Sequence, residues 1–149
     1  MPIIDICNLE IVTLQAEDTV VEACNVMREF HVGAVVVTEE KNGMKVPIGI
    51  VTDRDIVVEV IAPELDPSVM TVGDIMASNL ATVDQESGIF EVIQLMSAKG
   101  VRRLPVVGKK GELVGIVTLD DLFVMMTKEL GSFSKLLTKE QKNEFKKRR

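Results

Sequence analysis

Two short patterns stand out for what they could bind. They are Thr52 with Asp55 and Thr118 with Asp121, each a hydroxyl and a carboxylate three residues apart. The carboxylate accepts two donors at once, and the hydroxyl both donates and accepts. The same spacing is a capping box, which stabilises a helix start with no ligand present. Nearby stand Arg54, Arg102 and Arg103. Their guanidinium groups suit a phosphate, although Arg102 and Arg103 equally suit a solvated strand edge that discourages pairing between molecules. Asp53 with Asp55 and Asp120 with Asp121 could be imagined as a metal pair, but neighbours on a helical turn point apart and no His or third carboxylate completes a shell. His31, the one histidine, has no nucleophile partner and reads as a surface residue at a helix end. Cys7 and Cys24 lack CxxC spacing and read as reduced small hydrophobes. No Ser-His-Asp set, no GxxxxGK[ST] loop and no GxGxxG occurs, so the sequence argues for binding and against an enzyme.

The chain that positions these residues repeats itself. Sliding it by 69 positions aligns Asp5-Ile6 with Asp74-Ile75, Thr13 with Thr82, Glu17 with Glu86, Glu22 with Glu91, Met27 with Met96, Val32 with Val101 and Val37 with Val106. After a longer connection around Asn42-Gly43 the offset falls to 66, and Gly49-Ile50-Val51-Thr52 meets Gly115-Ile116-Val117-Thr118, with Asp55 on Asp121. In each copy a stretch near Thr13 or Thr82 leads into a helix with apolar residues at helical spacing, Val20, Cys24 and Met27 or Ile89, Ile93 and Met96. Asp18 and Ser87 are the expected N-caps. Val32 to Thr38 with Pro47 to Val51, and Arg103 to Val107 with Glu112 to Val117, read as hairpins turned at Gly43 or at Gly108 and Gly111. A last helix opens at Thr52 or Thr118, carries Ile56, Val57, Val60 and Ile61 or Leu122, Phe123, Met126 and Leu130, and stops at Ala62-Pro63 or Gly131.

The unit is β-α-β-β-α, twice, in an α/β (α+β) fold. Repeat 1 takes residues 1–62, a linker 63–72, repeat 2 residues 73–130 and a basic tail 131–149. One copy is too small to bury both faces of its sheet, so the two are expected to pack sheet to sheet about a pseudo-twofold axis, leaving two clefts where they meet.

Val72-Gly73-Asp74-Ile75-Met76, the phrase from Val101 to Val107, and the duplicated endings Gly-Ile-Val-Thr-Asp-Arg-Asp-Ile and Gly-Ile-Val-Thr-Leu-Asp-Asp-Leu resemble the cystathionine β-synthase (CBS) domain family. The resemblance covers nearly everything from Ile3 to about Leu130. It implies that the Thr-x-x-Asp turns line the clefts, with Asp55 and Asp121 accepting from the ribose hydroxyls of an adenosyl ligand and Thr52 and Thr118 holding ribose or phosphate. Arg54, Arg102 and Arg103 would answer the phosphate, helped by helix N-terminal N–H groups. Adenine would lie against Val12, Val32, Gly33, Ala34 and Ile50, or against Ala81, Val101, Arg102 and Ile116, each cleft borrowing from both repeats with the pairing left open. The expected ligand is AMP, ADP, ATP or S-adenosylmethionine, acting as a regulator; no cofactor and no metal is expected. The resemblance further implies a homodimer through helical faces rich in Val57, Val58, Met125 and Met126, and action on a separate effector protein.

With 46% hydrophobic residues the chain can bury a core, and without Trp or Tyr that core must be aliphatic. The formal net charge of -6 argues against a chain built mainly for nucleic acid or anionic lipid. The sign reverses at the end, where seven basic residues from Lys135 to Arg149 stand against Glu140 and Glu144. With Phe133, Leu136, Leu137 and Phe145 interspersed, this tail reads as a solvated amphipathic helix packing on a partner subunit, ahead of a nucleic-acid contact. No basic leader and no long apolar run is present, so a cytoplasmic protein with no membrane contact is expected. The rival to a nucleotide sensor is an interaction scaffold in which Thr52 and Thr118 are helix caps only.

Overall fold

The structure is a computed structural model that describes residues 1–77 and 79–148. A 3-10 turn (Ile3–Asp5) leads into β1 (Thr13–Gln15), α1 (Val20–Phe30), β2 (Ala34–Lys41), β3 (Met44–Thr52) and α2 (Asp53–Ile56), which continues as one π-helical turn over Val57–Ile61. Then come α3 (Val72–Ile75), β4 (Val83–Asp84), α4 (Ile89–Lys99), β5 (Arg103–Val107), β6 (Leu113–Thr118) and α5 (Leu119–Lys147). Each half is a three-stranded sheet, β1-β2-β3 or β4-β5-β6, with a parallel first pair followed by an antiparallel hairpin. The first hairpin turns on Asn42 and Gly43, both at positive φ (53° and 76°), where the local twist matches that of the strands. The ladder slips between Val37 and Thr38 and again between Val106 and Val107, the same place in both copies.

Two aliphatic cores result. Val20, Ala23, Val37, Val51, Ile56 and Val60 fill the first, and Val83, Val92, Met96, Leu104, Val106, Val117 and Leu122 the second. Each core also takes one residue from the other half: Ile3 is fully buried in the second core and Val72 in the first. The backbone follows this exchange. Ile3 N–H donates to Ser87 C=O at 2.8 Å, and Val72 N–H donates to Asp18 C=O at 2.8 Å. The lead segment of each copy therefore clasps the partner copy, a pseudo-twofold relation in which neither half is complete alone. On β2, Val35 and Val37 share one face and Val36 takes the other, yet all three are buried. Both faces of the strand are covered, as sheet-on-sheet packing requires.

Four expectations are corrected. The N-cap of α1 is Thr19, whose hydroxyl accepts from Glu22 N–H at 3.2 Å while Glu22 Oε2 accepts from Thr19 N–H at 2.8 Å; Asp18 instead closes the preceding turn onto Gln15 N–H at 2.7 Å. Gly88, one residue beyond Ser87, takes that place in α4. Ala23 and Val92 are buried where Cys24 and Ile93 were expected, since steps of three and of four both fit a helix and only packing chooses between them. The last helix does not stop at Gly131, which lies inside the 29-residue α5. That glycine meets no neighbouring atom, and nothing around it imposes a turn. Arg149, the end of the expected tail, lies outside the described residues.

Candidate functional site in the cleft between the repeats

The lead segment that crosses between halves also builds a cleft. Asn8 N–H donates to Ile116 C=O and Ile116 N–H to Asn8 C=O, both at 2.9 Å, which ties the approach to β1 onto β6. This contact is close: a Cβ on Gly115 would lie 2.6 Å from Cys7 Sγ and 3.0 Å from Asn8 C=O, so only glycine fits. Beside it opens a cavity of about 190 Å³. Asn8, Glu10, Ile11, Val12, Val32, Gly33, Ala34 and Val36 line it from the first repeat, and Arg103, Ile116, Thr118 and Asp121 from the second. The pairing left open by the sequence is thus resolved for one cleft: the carboxylate of repeat 2 faces the small residues of repeat 1.

Asp121 and Thr118 are held by the start of α5. Asp121 Oδ2 accepts from Thr118 N–H at 2.8 Å, and Thr118 Oγ1 accepts from Asp121 N–H at 3.2 Å. The reciprocal box engages one oxygen of the carboxylate, and a carboxylate's remaining lone pairs can take further donors. Leu119 N–H donates to Arg102 C=O at 2.8 Å, anchoring the helix start to the head of β5. Of the three candidate cations, the cleft receives Arg103. The Arg102 side chain is 72% exposed and lies 3.8 Å from Asp120, a surface pair with little energetic weight. Arg54 is exposed on the first turn of α2.

The second set of expected residues occupies the pseudo-equivalent position. Thr52 and Asp55 close the same box, at 2.9 and 3.1 Å, and Ala77 N–H donates to Ile50 C=O at 3.3 Å as the counterpart of the Asn8 contact. Asp53 N–H donates to Gly33 C=O at 3.0 Å. Ala81 is half-buried and Val101 is 37% exposed. Ser78, which lies between Ala77 and Ala81, is outside the described residues.

Sequence reasoning missed Asn8, Glu10, Ile11 and Val36 at the first cleft. The signal was faint: the offset of 69 puts Asn8 on Ala77 and Ile11 on Leu80, which reveals equivalence but not that each lead segment crosses over. Cys7 lies against Gly115 and the second core. Burial pushes its thiol up from the ordinary value, and the negative charges of Asp121 and Asp5 push the same way. Among the described residues no group of three or more His, Cys, Asp or Glu could hold a metal ion, and no helix is long and apolar enough to cross a membrane.

The sequence matches the CBS domain family over residues 3–62 and 72–128. It is 37% identical over 118 residues to an uncharacterised protein of Methanopyrus kandleri, covering 79% of this chain and 59% of that one. It is 34% identical over 118 residues to hypoxic response protein 1 of Mycobacterium tuberculosis, covering 79% of this chain and 80% of that protein. The solved structure of Hypoxic Response Protein I with two coordinated zinc ions superposes with a TM-score of 0.73 at 32% identity, over 84% of this chain and 98% of that one. The CBS domain pair of protein MJ0100, solved in complex with 5′-methylthioadenosine and S-adenosyl-L-methionine, has a TM-score of 0.73 at 23% identity, over 85% of this chain and 99% of that one. Two matched repeats, a duplicated strand-to-helix turn and this shared architecture lead to one conclusion: the chain belongs to the CBS domain family.

Proposed function

We propose that the cleft between the repeats takes an adenosyl compound, such as AMP, ADP, ATP or S-adenosylmethionine, and that its occupancy regulates a partner protein. The observation that carries this reading is the meeting in one cavity of small apolar residues, a paired hydroxyl and carboxylate, and one arginine, with Asn8 and Glu10 completing the polar lining. A flat base fits against Val12, Val32, Gly33, Ala34 and Ile116. The two ribose hydroxyls donate to Asp121, with Thr118 beside it. The cavity, at about 190 Å³, is below the roughly 300 Å³ at which drug-sized ligand sites begin. The nucleoside part therefore enters and a phosphate chain stays at the mouth, near Arg103 and the N-terminus of α5. The related set of Ile50, Thr52, Arg54, Asp55, Ala81, Val101 and Arg102, around the pseudo-equivalent turn, would be a second site with a different lining, since Arg102 and Arg103 stand where the first cleft has Gly33 and Ala34. The fold holds adenosyl compounds in the MJ0100 pair, which supports the class of ligand.

Regulation follows if the ligand favours one packing of the repeats over another, because only differential affinity shifts a population. The lead segments are the natural transmitters: Asn8 lines the cleft while Ile3 sits in the opposite core. The family's helical dimer surface would be formed by Val57, Val58, Met125 and Met126, of which Val57, Val58 and Met126 are exposed. One observation favours a ligand-free scaffold instead: both Thr-x-x-Asp pairs are already satisfied by their own helices. Thermal melts separate the two readings. A ligand at 100 times its dissociation constant stabilises the protein by about 2.7 kcal/mol. The sensor reading requires a rise in Tm with an adenosyl compound and none with GTP; no rise with any of them leaves the scaffold.

A further inference from the structure

At about 190 Å³ the cleft takes the nucleoside part of a ligand, so what surrounds its exit decides which adenosyl compound is admitted. Asp121 is a wall it shares with a second cavity, of about 360 Å³, lined further by Asp5, Ile6, Val124, Lys128 and Glu129. A ribose placed on Asp121 stands at the junction of the two, and the group that the ribose carries has this room beside it.

Carboxylates outnumber cations around both. Glu10 and Asp121 stand against Arg103 in the cleft, and Asp5 and Glu129 against Lys128 beyond it, four acids to two bases. The Cys7 thiol feels the same field: after burial, it is the charges of Asp121 and Asp5 that raise it. Arg102, the next cation outside the lining, is met by Asp120 at 3.8 Å. The positive end of α5, which would otherwise draw a phosphate, carries Asp120 and Asp121 in its first turn. The wider surroundings have the same sign. The chain's 17 basic and 23 acidic residues, less the seven and two of residues 131–149, leave ten against 21, so residues 1–130 carry -11. A cleft lined by one sign of charge concentrates ligands of the other.

We infer that this cleft selects its ligand by charge, with Glu10, Asp5 and Glu129 favouring a net-cationic adenosyl compound of the S-adenosylmethionine class over any adenosine phosphate. The inference rests on the adenosyl reading above. A single phosphate brings a charge of about -2 at pH 7, and each further phosphate adds to the repulsion. Arg103 is the one cation that the cleft lining offers to a phosphate. In S-adenosylmethionine a sulfonium and an ammonium outweigh one carboxylate. The cations meet acids in both cavities, and Lys128 is left for the carboxylate. Selectivity of this kind comes from a cost imposed on the wrong ligand as much as from contacts made by the right one.

Calorimetric titration of the nucleotide-free full chain at low ionic strength tests it, with S-adenosylmethionine, ATP, AMP and uncharged adenosine as probes. The expected result is S-adenosylmethionine bound at least about tenfold more tightly than ATP, the scale of one or two close charge contacts near a protein surface. The gap should narrow as salt is added. In one chain carrying both Glu10→Gln and Glu129→Gln it should narrow several-fold while adenosine binds as before. Glu140→Gln, a loss of charge far along α5, should leave it as it was. All three positions are exposed, so the fold is not at stake. ATP or AMP binding as tightly as S-adenosylmethionine, or a gap that the double variant does not narrow, overturns the inference and leaves the adenosyl reading standing. Failure of all four probes, adenosine included, removes that reading and the inference with it.

Discussion

At the Thr52 turn the capping box closes with bonds of 2.9 and 3.1 Å, and at the Thr118 turn with bonds of 2.8 and 3.2 Å. Their surroundings differ. Asp121 looks across at Gly33 and Ala34, while the matching positions of the second repeat hold Arg102 and Arg103. The helix after Thr52 widens into a π turn and ends near Ile61, while the one after Thr118 continues for 29 residues. A four-residue motif thus dictates its own hydrogen bonds, but its chemistry is set by what the other repeat places opposite. Two identical turns become two different half-sites.

The largest expected effect comes from erasing that difference. Ala34→Arg puts into the first repeat the residue its counterpart carries, directly in the cleft that Asp121 faces. Calorimetry should then find no saturable adenosyl binding at that cleft, and retained affinity would mean that the small residues are not what admits the base. Next in size is the comparison of Asp121→Ala with Asp55→Ala. Each loses the carboxylate half of its capping box and keeps the Thr hydroxyl cap, so the two variants should unfold alike in denaturant. Affinity at the cleft beside Gly33 should fall about tenfold or more with Asp121→Ala, the scale of a lost charge-assisted hydrogen bond, and hold with Asp55→Ala. Equal losses would mean that the pairing across the cleft is wrong.

A smaller effect is expected of Arg103→Ala. It should weaken ATP several-fold, more at low salt than at high, and S-adenosylmethionine less, because the arginine answers phosphate charge at the mouth. Identical losses for both ligands would place its contribution in packing. The smallest concerns the helix ends. His31 caps α1 at φ 54° where the second repeat has Gly100 at φ 64°. His31→Gly should stabilise and Gly100→Ala destabilise, each by about 1 kcal/mol in chemical denaturation. Opposite signs would show that side-chain contacts outweigh the backbone preference.

Much of this was legible because it is local or repeated. The duplicated Gly-Ile-Val-Thr phrase, the Asn42-Gly43 turn and the valine-rich strands announce hairpins and helix starts without tertiary information. The Thr19 cap was legible too, since Glu22 completes a capping box only with Thr19, but Asp18 is as good a cap by type. What the sequence could not disclose is which core an apolar residue joins. Nothing in Ile3 or Val72 marks it for the opposite half, and the crossing of the lead segments decides which repeat backs which carboxylate. Gly131 shows the converse: a strong local stop signal carries no force where the helix stands clear of neighbours.

The central claim is that the cleft shared by Gly33, Ala34 and Asp121 binds an adenosyl compound. The most direct test is calorimetric titration of nucleotide-free protein with AMP, ATP and S-adenosylmethionine, using GTP as control and repeating each run on Asp121→Ala. The account predicts saturable binding of at least one adenosyl compound, a marked loss in the variant and no heat from GTP. Absence of binding by every adenosyl compound, or full affinity in Asp121→Ala, would contradict it.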